Sequence, residues 1–140
     1  MEECCKKGQT FLDMKAGNYQ GEKPKYFIAL TQANDLEDEI VCLVINSENR
    51  MTQYKEGCNK AKGKYILKPK ELSFINHHSS IMLDFPCRYY LKELFENKVK
   101  LMDIASDVLC RQIKNCINFD TFLPRFGNMI KDCFKDRLTS

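Results

Sequence analysis

Apolar positions along this chain change period once, from short runs of strand length to helical spacing in the last third. The stretch from Gln9 to Met14 alternates loosely around Phe11 and Leu12, and predicts a first strand. Residues 16–24 carry Gly17, Asn18, Gly21 and Pro24, which is loop chemistry. Lys25 to Thr31 (KYFIALT) is aromatic and β-branched, a strand composition. Ala33 to Asp38 reads as a turn. Glu39 to Ile45 (EIVCLVI) is almost wholly apolar and of strand length, which predicts a central strand buried on both faces. Asn46 to Gly63 is a long polar connection. Lys64 to Leu67, Ile81 to Phe85 (closed by Pro86) and Arg88 to Leu91 predict further strands, with a short helix or turn over Leu94 to Asn97.

Near Ser106 the spacing becomes helical. Ser106 can cap free backbone N–H groups, and Leu109, Ile113, Cys116 and Ile117 fall on one helix face. A second helix is predicted to start at Asp120 or Thr121, with Pro124 in its first turn. Its apolar face is Phe126, Met129, Ile130, Cys133 and Phe134. Short strands followed by helices predict an α+β fold, a small barrel or curled sheet with helices packed on it.

A chain of 140 residues suits a single domain spanning 1–140. At 44% hydrophobic and 29% charged residues, it can build a core and is not of disordered composition. No apolar run approaches the roughly 18 residues of a membrane span. The charged start Met1-Glu2-Glu3-Cys4-Cys5-Lys6-Lys7 lacks an apolar signal region, so a cytoplasmic protein with no membrane partner is expected. The eight cysteines include no C-x-x-C pair, and several lie among core-like residues. Free thiols are the expectation for that context. A zinc site from His77, His78, Cys58 and Cys87 would need adjacent histidines and scattered cysteines, an unusual ligand spacing.

The net charge of +3 is mild, but its distribution is uneven. Lys55, Lys60, Lys62, Lys64, Lys68 and Lys70 face one acid in that stretch, Glu56. Such a run is either a solvated loop or a track for a polyanion. His77 and His78 are the only histidines and sit in FINHHSS before a predicted strand. Histidine can act as general acid or base. Ser79 or Ser80 could orient it or hold phosphate. The plain alternative is a histidine bonded to backbone at a strand entrance. Asp84, expected mid-strand on the face of Met82, could pair with Arg88. There is no Gly-rich phosphate loop, no G-x-S-x-G and no H-E-x-x-H, so nucleotide-dependent and serine-hydrolase chemistry have no support.

Lys7-Gly8-Gln9-Thr10-Phe11 is similar to the opening K/R-G-D-I/V segment of the MazF/PemK-type toxins. Lys23-Pro24 followed by Tyr26 to Thr31 resembles their R-P-then-strand segment, and Ile40 to Ser47 (IVCLVINS) their I-V-x-P/L-I-T-S strand. Tyr65 to Glu71 with Phe74 to Ser79 looks closer to a phage-associated branch in which C-x-L-x-x-G-(D/E)-H-P-F-I-x-H-x-S recurs. The resemblance spans about residues 6–118. It implies an SH3-like barrel over about residues 6–91 with a helical part over about 92–140. It also implies a homodimer, an antitoxin-like protein partner and cofactor-free, metal-independent cleavage of single-stranded RNA.

By position, the resemblance assigns catalysis to Lys23, Asn46, Ser47, His77 and Ser79. Lys55, Lys60, Lys62, Lys64 and Lys68 would track the phosphates, and Tyr54 or Tyr65 could stack on bases. Lys23 stands where the toxins carry arginine, and Asn46 where they carry threonine. In the phage-associated pattern, Tyr65 replaces the cysteine and Leu72 the first histidine. Two functions follow as expectations: a divergent toxin-like endoribonuclease, or a catalytically inactive barrel that binds nucleic acid or protein.

Overall fold

The computed structural model of the protein describes residues 4–14 and 24–135. The fold is α+β. Among the described residues, eight strands form one sheet: β1 (Gln9–Asp13), β2 (Lys25–Ala29), β3 (Glu39–Ser47), β4 (Gly57–Asn59), β5 (Lys64–Leu67), β6 (Ser79–Met82), β7 (Cys87–Tyr90) and β8 (Lys100–Ile104). Three helices accompany them among the same residues: α1 (Leu91–Glu96), α2 (Asp107–Cys116) and α3 (Pro124–Cys133). The strand order is β4-β5-β6-β3-β2-β1-β8, with β7 also on β3, and every pairing is antiparallel.

Strand β3 is the axis, as its apolar run predicts. Ile40, Cys42 and Val44 enter one buried cluster, while Val41, Leu43 and Ile45 enter the other. The period of two puts alternate residues on opposite faces, so a strand covered on both sides must be apolar throughout. One free edge of β3 serves two strands in turn. Ile45 to Ser47 pair with β6, and Glu39 to Cys42 pair with β7. The break between them holds Pro86, which lacks the N–H a ladder needs.

On one face, α2 and α3 press Leu109, Ile113, Ile117 and Ile130 against the sheet. Ser106 caps α2 as its sequence predicts, its Oγ accepting from Leu109 N at 3.1 Å. On the other face Phe11, Phe27 and Tyr89 form a ring cluster, with centroids 5.4–5.6 Å apart, beneath Leu91 and Leu94 of α1. The buried Tyr89 hydroxyl donates to Asp13 Oδ2 at 2.8 Å. Burial, and then that bond, raise the Tyr89 pKa far above its ordinary value.

Several expectations need correction. The sheet is open: β4 and β8 are its two ends, and no pairing joins them among the described residues. The barrel is therefore not closed. Strand β8 lies inside the stretch expected to be helical. Its mostly exposed KLMDI sequence has no apolar alternation to announce it. Strand β4 lies inside the expected long loop. Strand β6 starts at Ser79 and ends at Met82, earlier than its apolar residues suggest, because the small hydroxyls Ser79 and Ser80 are buried in the sheet. Asp84 consequently sits in a turn, and Arg88 reaches Glu39 at 3.1 Å. Phe119–Thr121 forms a separate 3-10 turn, and α3 begins at Pro124 itself.

The thiols are not all free. Cys58 on β4 and Cys116 at the end of α2 form a disulfide, their Cα atoms 5.6 Å apart. They are 58 residues apart in sequence, and packing α2 against β4 brings them together. Cys4, Cys5, Cys42, Cys87, Cys110 and Cys133 are free thiols. Burial pushes the Cys5 thiol up to about 12 and the Cys110 thiol to about 11, which leaves both protonated at neutral pH. No helix among the described residues is long and apolar enough to cross a membrane.

Candidate functional site: a cleft between strand ends and the loop before β6

The end of β3 runs beside the start of β6, with Asn46 opposite Ser80 and Ser47 opposite Ser79. The loop of residues 68–78 folds back over these strand ends. Lys70 N donates to Ile75 O at 2.7 Å, and Ser73 N and Oγ donate to the two Asp103 carboxylate oxygens on β8. Those bonds, led by the Ser73 hydroxyl, hold the Asp103 carboxyl below its ordinary value. Lys70 itself has a φ of 70°, a left-handed conformation that lets the loop turn back.

Between loop and strands lies a cavity of about 120 Å³. Asn46, Ser47, His77 and Ser79 all line it, so four of the five residues expected to act together come from distant segments to one place. Lys23 lies outside the described residues. The cavity's aromatic wall is Tyr26 and Phe74, stacked with centroids 4.4 Å apart. A larger open hollow of about 380 Å³ adjoins it and shares Asn76 and His77.

The four residues differ in what they can offer. Ser79 is buried, and its Oγ donates to the His77 carbonyl at 3.0 Å, so it positions backbone. Ser47 and His77 are exposed, and the His77 ring bonds to no other described residue. Asn46 Oδ1 accepts from Lys25 Nζ at 3.2 Å. His78 is engaged elsewhere, its Nε2 lying 2.7 Å from Glu56 Oε2, which ties the basic loop to the cleft wall.

The lysines divide in two. Lys64 bonds Glu48 at 2.9 Å and lies over the Tyr54 ring, and Lys62 donates to Gln53 O and lies over the same ring. Both ammonium groups serve the fold, and Tyr54 is a seat for lysines. Lys55, Lys60 and Lys68 are exposed, and their ammonium groups bond to no other described residue. Tyr65 is buried with its hydroxyl on Gln112, away from the stacking role expected of it. Burial works against ionisation of Glu48. Hydrogen bonds from Lys64, Ser80 and Arg50 N together outweigh it and hold the carboxyl below its ordinary value.

Sequence reasoning missed Lys25, Tyr26, Phe74 and Asn76 as parts of the site. The available signal was the short stretch Lys25-Tyr26 directly after Pro24, a cation and an aromatic opening a strand, together with Phe74 and Asn76 flanking Ile75 before the histidines. No family model, no curated protein and no solved structure matches this chain.

Proposed function

We propose that the protein is a divergent toxin-like, RNA-engaging protein whose cleft takes single-stranded RNA. The observation that carries this reading is convergence: Asn46, Ser47, His77 and Ser79, separated by some thirty positions of sequence, line one cavity beside a stacked aromatic pair. Exposed Lys55, Lys60 and Lys68 supply cations for phosphates, and an aromatic wall offers a surface for unstacked bases. The likeness to an SH3-like barrel, the homodimer and an antitoxin-like partner belong to the same proposal.

Binding is better supported than cleavage. Transesterification at a ribose needs one group to take the 2′-hydroxyl proton and another to protonate the leaving oxygen. His77 can serve as one. Asn46 has no acidic proton to relay, Ser79 is spent on backbone, and Glu48 is spent on Lys64 and Ser80. Cleavage stays as a second reading because the His77 ring is exposed at the cavity.

The test is incubation of the protein with labelled single-stranded RNA in EDTA, at several salt concentrations. Intact RNA bound with an affinity that falls steeply with salt supports the binding module. Defined fragments that vanish in His77→Ala support the endoribonuclease. Absence of both binding and fragments overturns the RNA reading.

A further inference from the structure

Two asparagine amides face the cleft, and a lysine fixes each. Lys25 Nζ donates to Asn46 Oδ1 at 3.2 Å, and Lys70 Nζ donates to Asn76 Oδ1 at 2.6 Å. An ammonium has only donors, so the amide atom it touches must be the carbonyl oxygen. The flipped amide would set N–H against N–H. Each amide therefore turns its Nδ2 donors away from its lysine, and neither Nδ2 bonds to another described residue.

Two nearby acceptors are occupied. The His77 carbonyl takes the Ser79 hydroxyl, and Glu48 takes Lys64 and Ser80. The cleft thus presents two amides fixed as donors, while its open acceptors, the Ser47 hydroxyl and a His77 ring nitrogen, are groups that can also donate. A ligand edge made of carbonyl oxygens fits such a lining. An exocyclic amino group set against those two amides would put N–H against N–H and give up water without gaining an acceptor there.

We infer that the cleft selects keto bases, uracil above all, over amino bases such as cytosine. This rests on the RNA reading above. Uracil carries a carbonyl where cytosine carries an amino group, and the sugar and phosphates are the same. Comparing the two therefore cancels the electrostatic part of binding. Lys25 and Lys70 act here as positioning residues: each holds an amide in the orientation that reads the base.

The experiment is fluorescence anisotropy with labelled oligouridylate and oligocytidylate of equal length, in EDTA. Oligouridylate is expected to bind about tenfold tighter, the discrimination of a well-placed hydrogen-bond pair. Lys70→Met, at an exposed position, frees the Asn76 amide to rotate and should bring the ratio toward one. Asn76→Asp replaces donors with acceptors and should favour oligocytidylate. Lys60→Ala should weaken both ligands alike and leave their ratio unchanged. Equal binding of the two oligomers by the unsubstituted protein overturns the inference while leaving RNA binding intact. A preference that survives Lys70→Met and Asn76→Asp overturns the role of the amide. Binding of neither oligomer overturns the RNA reading and this inference with it.

Discussion

Gly8 shows how a single position can hold three elements together. Its φ is +92°, and a Cβ there would lie 2.8 Å from Ala105 O and 2.9 Å from Cys110 Sγ. Its N–H donates to Ala29 O, and its carbonyl accepts from Ala105 N. The start of β1 thus passes close to β2 and to the entry of α2, with no room for a side chain. Gly8→Ala combines backbone strain with overpacking and should lower stability by about 2–4 kcal/mol. A urea titration that leaves the midpoint unmoved would contradict this. At this scale the sequence made the neighbourhood of the cleft side chains partly legible. Asn46, Ser47, His77 and Ser79 share a cavity, but that Ser79 is buried and bonded to backbone depends on the turn before β6, which no residue type announces. The partners of Lys62 and Lys64 were hidden for a similar reason, since a lysine in a basic run looks the same whether its ammonium meets water or Glu48.

At the scale of elements, the loop of residues 68–78 decides whether the cleft exists. Leu72 and Ile75 anchor it in the core, and the pair of bonds from Ser73 ties it to Asp103 on β8. The folded-state pKa of Asp103 lies below its ordinary 3.8. The contribution of these bonds is therefore complete above that value and fades as pH falls through the lower, folded one. The protection of the Ser73 amide, its exchange rate relative to the intrinsic rate at the same pH, should be high near neutrality and fall in acid before that of the core amides does. Asp103→Asn should show the lower protection already at neutral pH. Elements with strong periodicity were readable: β3 from its unbroken apolar run, α2 from its cap and its face. Strands β4 and β8 were not, because a short or exposed edge strand has little apolar pattern to display.

For the molecule as a whole, α2 does much of what a closing strand pair would do. It leaves the sheet after β8 and packs on β4 and β5 at the opposite end. The Cys58–Cys116 disulfide fixes that span. Closing a loop of this length restricts the unfolded chain, for a stabilisation of about 4 kcal/mol in the chain-entropy picture. Denaturation with and without reductant should differ by an amount of that order, and Cys58→Ser should behave like the reduced protein in both conditions. The pairing was illegible in the sequence because nothing in the spacing of eight cysteines says which helix will lie on which strand.

That same covalent tie has a topological effect. The polypeptide between Cys58 and Cys116 is a ring, and the basic segment around Lys60 and Lys62 sits just inside it. A single tryptic cut there opens the ring without releasing anything. Both halves should migrate as one band on a gel run without thiol, and separate into two once dithiothreitol is added.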